Sequence, residues 1–410
     1  MKVRHRVLGF LSLLSVITYL DRVCISVAGP RMQEALSLDP QQWGWVTGVF
    51  TLAYALFEIP SGSLGDRIGP RRVLTRIVLW WSAFTSLTGV VSSFIPLVLV
   101  RFAFGMGEAG AYPNIGVCIA RWFPLRERAT AWGVVLMAAQ IGGALAPFLV
   151  VPIQQAYGWR ASFWAFGFLG VLWAAAWYVW FRDSPKEKPG IPAHEIAESE
   201  SVIAPTHALP WSTALRSRNL WAVVGMAGCV GYSMSFFQSW LGTYLVKARG
   251  FTEAGLLFAA LPFIVGAVAN IAGGFTGDTL VRKLGLMQGR RTMILAGYAG
   301  ATVFLTVGML ISEKHASLVA LSVAYGGIAF AQPALMGVCL DIGGKFGGAI
   351  TGAMNTVAYC GAFLSSVIYG YLVAGYGYTV PFFPMIALMG TATALGWLVN
   401  ATEHVIPDPA

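Results

Sequence analysis

The sequence predicts an all-α membrane protein: twelve transmembrane helices in two pseudosymmetric six-helix bundles. Three observations carry this. Apolar stretches near or above 18 residues recur along the whole 410-residue chain, and stretches of that length can cross a bilayer as helices. Only 11% of residues are charged and 57% are hydrophobic, where a soluble domain has about 25% charged. A polar, proline-bearing stretch divides the chain near its middle.

Taken in order, the spans fall at 7–29, 43–62, 73–94, 96–120, 129–152 and 161–181, then at 219–246, 254–277, 292–312, 316–340, 348–374 and 380–400. The apolar run after the basic lead Met1 to Arg6 is too long for a signal-peptide core and lacks a small-residue cleavage site, so the first span is expected to stay. No organellar presequence is visible, which favours a bacterial cytoplasmic (inner) membrane. Lys and Arg then divide twenty against five between the two sides, leaving Arg22 and Arg101 inside the membrane. That asymmetry puts both termini in the cytoplasm. It also accounts for the net charge of +9 without nucleic acid.

Residues 183–217 read as a cytoplasmic linker without helical periodicity, carrying Pro185, Pro189, Pro192, Pro205 and Pro210. It joins an N-terminal bundle, 1–182, to a C-terminal bundle, 218–410. The halves resemble each other. Gly62 to Gly274 and Asp66 to Asp278 are both 212 residues, and Pro113-Asn-Ile-Gly116-Val-Cys118 echoes Pro333-Ala-Leu-Met-Gly337-Val-Cys339. Duplication about a central linker is typical of secondary transporters, with substrate bound between the repeats near the midplane.

Other chemistries find little support. The five cysteines fall inside predicted spans without a Cys-x-x-Cys, and the five histidines fall in connections or tails. Neither pattern favours a metal site or disulfides. Gly105-Met-Gly107-Glu-Ala-Gly110 matches a dinucleotide fingerprint but sits within an apolar span, where close helix packing explains the glycines. No nucleotide-binding Gly-Lys-Ser/Thr loop and no nucleophile motif is present. An enzyme is not expected, nor any cofactor beyond a coupling proton.

What the sequence does offer is charge at membrane depth: Asp21 and Arg22 on span one, Arg101 and Glu108 on span four. Arg101 and Glu108 are two turns apart and share a helix face. Unpaired, the four would cost about 10–14 kcal/mol, at roughly 2.5–3.5 kcal/mol each. Two acids and two bases can neutralise one another, and buried pairs are poor stabilisers compared with apolar packing, which points to a role. Protonating one carboxylate leaves an arginine for a substrate carboxylate, which a guanidinium binds bidentately. A proton and an organic anion would then enter together. Spans seven to eleven carry no comparable charge, so ionic coupling is expected in the first half and neutral polar recognition in the second.

The stretch Gly62-Ser-Leu-Gly-Asp66-Arg67-Ile-Gly69-Pro-Arg71-Arg72 resembles the cytoplasmic loop motif of the major facilitator superfamily. There Gly62 would allow a close approach and a tight turn. Asp66 would cap the next element or pair with a neighbouring loop as a gate latch, whereas a plain basic inside loop accounts for Arg71 and Arg72 equally well. Within the superfamily, Tyr19-Leu-Asp21-Arg22, Tyr54-Ala-Leu-Phe-Glu-Ile-Pro60 and Arg101-Phe-x-x-Gly105-x-x-Glu108-Ala-x-x-x-Pro113 resemble the anion:cation symporters. Ser239-Trp240-Leu-x-Thr-Tyr244-Leu and Gly352-Ala-Met-Asn355 are similar to them too.

The resemblance implies alternating-access symport of a sugar acid (a hexonate, hexarate or hexuronate) with protons. Glu108 would be the main proton carrier and Asp21 a second titrating site. Arg22 and Arg101 would bind the substrate carboxylate, and Tyr54, Gln140 and Asn355 its hydroxyls. Gln238 and Gln332 are further candidates from their position alone, and an interhelical hydrogen bond is the competing use for each uncharged residue. Two departures concern substrate. Glu58 stands where galactonate-like members carry glutamine, and is read as a carboxylate near the cytoplasmic end of span two in preference to a further titratable group. No aromatic stands near Met336, where sugar-acid members commonly have one. An anion or sugar-phosphate exchanger and a membrane ligand sensor are the alternatives. Nothing requires more than a monomer in its lipid bilayer.

Overall fold

A computed structural model describes residues 2–189, 191 and 209–406, except the side chains of Ser63, Gly65, Asp66, Leu125, Arg126, Ala129 and Lys345. The described residues form helices and no strand. In bilayer hydrocarbon every backbone polar group must be satisfied within the chain, and long helices do this segment by segment.

The first half comprises α1 (Val3–Ala35), α2 (Pro40–Ile68), α3 (Pro70–Thr88), α4 (Phe94–Glu108), α5 (Ala111–Trp122), α6 (Leu125–Tyr157) and α7 (Trp159–Trp180). The second comprises a single turn α8 (Trp211–Ala214), then α9 (Arg218–Ser235), a π-helical turn (Phe236–Trp240) and α10 (Leu241–Lys247). A 3-10 segment (Ala254–Ala260), α11 (Leu261–Leu284), α12 (Leu286–Leu310), α13 (Lys314–Gly343), α14 (Gly347–Tyr376) and α15 (Phe382–Leu398) follow. Counting α4–α5 and α9–α10 as one crossing each, these follow the twelve predicted spans. Among the described residues, nine are long and apolar enough to cross a membrane by length and composition. The helix α15 is shorter, and α3 carries Arg71, Arg72 and Arg76 in its first turns.

Most helices outrun the predicted spans, because charged ends extend a helix as readily as apolar centres and their side chains can reach back to water, whereas α3 stops at Thr88, short of the predicted 94, and α15 lies within the predicted 380–400. Two readings change as a result. Gly62, Asp66 and Arg67 belong to the last turns of α2, and the turn itself is made by Gly69 at φ +85° with Pro70 opening α3. His5 and His315 lie in first turns of α1 and α13, not in connections. In the linker, α8 forms one helical turn that the sequence reading did not contain. His194, His207 and most of the linker lie outside the described residues.

The chain divides into two compact units: Met1–Ser37 with Leu52–Pro205, and Leu38–Thr51 with Thr206–Ala410. Within the first, α1 and α6 are clamped at both ends by arginines of α1. Arg4 pairs with Glu127 at 2.9 Å, and Arg31 donates to the Gln154 carbonyl. Within the second, small residues set close helix crossings. A Cβ on Gly231 of α9 would collide with the Ala358 carbonyl of α14, and one on Gly273 of α11 with the Phe330 carbonyl of α13. The opening of α2 packs the same way: a Cβ on Gly44 would lie 2.6 Å from the Ser366 carbonyl, and Trp45 meets Phe363 edge-on at 6.0 Å.

The internal repeat is legible in the turns. Gly69 and Gly285 (φ +82°) join the second helix of each half to the third. Gly158 (φ +82°) and Gly377 (φ +80°) join the fifth to the sixth. Positive φ is cheap only for glycine, so each junction needs that residue.

Candidate functional site

Four buried ionisable groups meet in the first unit. Asp21 and Arg22 come from α1, Arg101 and Glu108 from α4, and none is more than 5% exposed. Their meeting depends on how span four is built. The sequence predicts one helix over 96–120, but α4 ends at Glu108 and α5 begins at Ala111. Pro113 lacks the N–H that would reach the Ala109 carbonyl, so the ladder is broken there. Two glycines let the bent segment seat. A Cβ on Gly110 would lie 2.6 Å from Ser61 Cβ, and one on Gly62 would lie 2.8 Å from Pro113 Cβ. Gly62 therefore serves a close approach, as expected, but to the break in span four rather than to a turn.

Glu108 is thus the last residue of a half-helix. Arg22 Nε donates to Glu108 Oε1 across the α1–α4 boundary. The Arg22 guanidinium lies over two rings, 4.7 Å from the Tyr54 centroid and 5.5 Å from that of Tyr19. Arg101 lies 4.7 Å from the Phe104 centroid. Neither oxygen of Asp21 has a well-formed hydrogen bond. Glu108 and Arg101 are within electrostatic range of Asp21, and Trp81 of α3 faces it. Arg101 and Glu108 share a helix face as predicted, yet the direct ion pair of Glu108 is with Arg22.

Nearby lie residues to which sequence reasoning gave no role. Ser15 and Tyr112 hydroxyls bond at 2.8 Å, tying α1 to α5, and Tyr112 stacks on Trp132 at 6.5 Å. Ser15, Tyr19 and Arg22 follow i, i+4, i+7, and Tyr112 lies one turn beyond Glu108, so the helical period was the available signal. Trp81 left none. Gln140 is half-buried on α6. Glu58 is buried at 7% exposed, one turn from Tyr54 and about 15 Å before the end of α2 at 1.5 Å per residue. Of the stretch read as a gating motif, the side chain of Asp66 lies outside the described residues. Asp183, just after α7, accepts from the Arg71 backbone N–H at 2.7 Å and packs on Gly69.

The second unit places its candidates on separate helices. Gln238 sits in the π turn, where the Leu241 N–H reaches back five residues to the Phe236 carbonyl. Its four companions there are buried while Gln238 stays half-exposed. Buried aromatic rings hold the turn: Trp240 on Tyr369 at 4.6 Å and Phe237 on Tyr325 at 5.0 Å. π turns inside α-helices are frequent at functional sites. Gln332 precedes Pro333 within α13, and Asn355 is half-buried on α14. No charged side chain is buried in the second unit among the described residues. Asp341 pairs with Arg290 at 2.9 Å near the end of α13.

Comparison with known proteins decides the family. The model of the Major Facilitator Superfamily matches residues 11–366. The chain belongs to the major facilitator superfamily. Among its superfamily relatives is a Cupriavidus necator protein named probable sulfoacetate transporter SauU, 34% identical over 97% of this chain and 94% of that one. Another is a probable L-galactonate transporter of Escherichia coli, 30% identical over 96% of this chain and 88% of that one. In fold, a bacterial homologue of the human lysosomal transporter Spinster matches at TM-score 0.78, with 20% identity and 96% of each chain covered. The fold is that of major facilitators, and the chain is a transporter of organic anions rather than an enzyme.

Proposed function

We propose that the chain is a proton-coupled symporter of a small carboxylate-bearing anion, working by alternating access in a bacterial inner membrane with both termini in the cytoplasm. The observation that supports this is the buried Arg22–Glu108 pair beneath Tyr54. Only one Glu108 oxygen is engaged by that bond. A proton on Glu108 cancels its charge and weakens its hold on Arg22. The guanidinium then takes a substrate carboxylate in a bidentate bond. Loss of the proton restores the internal pair and expels the anion. Arg101 supplies a second positive charge, and Asp21 a second carboxyl that can carry a proton. Tyr54, Gln140, Asn355, Gln238 and Gln332 would bind hydroxyls or other polar groups. We take a sugar acid as the first substrate class. A short sulfonated carboxylate is the second reading, favoured by the likeness to the sulfoacetate-named relative.

The test is substrate-driven proton uptake by the purified protein in liposomes. Hexonates, hexarates, hexuronates, sulfoacetate and sugar phosphates are offered to the parent and to Glu108→Gln. The expected result is proton entry with one organic acid, and a variant that still binds but no longer couples. Transport that needs internal counter-substrate and moves no protons, unaffected in Glu108→Gln, would replace symport by exchange. Binding with no accumulation would make the chain a sensor.

A further inference from the structure

A groove of about 520 Å³ runs between α3 and α7 on the outer face of the first unit. Arg72 and Arg76 line one end; Leu79, Trp80 and Ala83 line the other; Tyr178 forms the α7 wall. Arg72, Arg76 and Trp80 are spaced i, i+4, i+8, so they stack on one face of α3. From Arg72 to Trp80 is about 12 Å along the helix, from headgroup depth into hydrocarbon.

Three features distinguish this groove from an ordinary lipid-facing surface. First, Arg72 and Arg76 are exposed and make no hydrogen bond or ion pair among the described residues, whereas Arg71 is engaged. Its backbone binds Asp183, and its guanidinium donates to the Tyr178 carbonyl at 2.6 and 2.9 Å. Second, the floor is held in place. Trp80 Nε1 donates to the Ala103 carbonyl at 2.8 Å, and its ring lies against Gly107 of α4, where any Cβ would collide with it. Third, no acidic side chain lines the groove, and Thr75 spends its hydroxyl proton on the Arg71 carbonyl. The groove therefore has no carboxylate to pair with the ammonium of a zwitterionic headgroup.

We propose that this groove is a binding site for one anionic phospholipid. Its phosphodiester sits on Arg72 and Arg76, and an acyl chain lies over Leu79, Ala83 and the Trp80 ring. Two guanidinium groups suit a phosphate bidentately.

The test places the full chain in nanodiscs of phosphatidylcholine and phosphatidylethanolamine with graded phosphatidylglycerol, then detects retained lipid by native mass spectrometry. The parent should keep one phosphatidylglycerol with at least about tenfold preference over the other two lipids. Arg72→Gln/Arg76→Gln should lose that preference. Ala83→Trp, which fills the groove and keeps both charges, should lose it too. Arg282→Gln/Lys283→Gln, at the end of α11, should keep it. Equal retention by either groove variant overturns the proposal. So does equal loss in the α11 variant, which would mean diffuse attraction to basic ends. Displacement by millimolar inorganic phosphate would mean a small-anion site and also overturns it.

Discussion

At the scale of single residues, the Arg22–Glu108 pair allows a measurement that separates function from stability. Taking away one partner leaves a buried charge without compensation, at a cost of about 3–5 kcal/mol, while replacing both by apolar groups of similar volume is close to neutral. Arg22→Met and Glu108→Leu should each lower the unfolding midpoint in detergent. The double variant should recover most of the loss while transporting nothing. If the double variant is as unstable as the sum of the singles, the pair is not the unit described here. Much of this cluster was legible beforehand: charges at membrane depth identify themselves, and the period of α4 put Arg101 and Glu108 on one face. Which arginine holds Glu108 was not legible. That choice depends on the mutual rotation of α1 and α4 and on the break after Glu108, and spacing along one helix does not determine either.

Among the elements, the break in span four and the π turn have the same cause for escaping the sequence reading. Both are local rearrangements of a hydrogen-bond ladder inside an otherwise good apolar run. Pro113 was visible in the first case; in the second, aromatic packing around Phe236–Trp240 has no periodic signature. Close crossings are a further property of elements. Gly231→Ala should cost about 1–3 kcal/mol, because the obstructing atom is a backbone carbonyl of α14 that cannot rotate away. Gly300→Ala, where nothing lies within 4 Å of the added Cβ, should be neutral in the same urea or thermal titration. The start of α13 gives a pH prediction. Glu313 accepts from the backbone N–H groups of Ala316 and His315 and meets the His315 ring, and these contacts pull its carboxyl from 4.5 down to about 2. A carboxyl lowered on folding stabilises fully above its unfolded value, and that contribution fades as pH falls from about 4.5 through about 2. The stability difference between the parent and Glu313→Gln should therefore shrink as pH falls through that window, as urea titrations at stepped pH would show.

For the whole molecule, the contrast between units is the main finding. Buried charge is confined to the first unit among the described residues, and the second offers amides and hydroxyls. This division was readable from charge placement alone. It leads to a split in phenotype. Asn355→Ala, Gln238→Ala and Gln332→Ala should raise KM or change which anion is preferred, by about tenfold or less, and leave the number of protons moved per anion unchanged. Glu108→Gln should change that number. Stoichiometry from reversal potentials in liposomes checks both, and a second-unit variant that uncouples would overturn the division.

The opening of α2 has a consequence for biosynthesis. Gly44 and Trp45 are among the first fifty residues made, yet the surface they pack on, Phe363, Ser366 and Val367, lies more than 300 residues downstream. At about 5–20 residues per second, that surface follows them out of the ribosome only after roughly 15–65 s. For all that time the first turns of α2 must wait in the bilayer with their glycines unfilled. The second unit is thus completed by a piece of chain inserted before any of its other helices existed. Truncation after α7 would leave that piece without the surface it packs on.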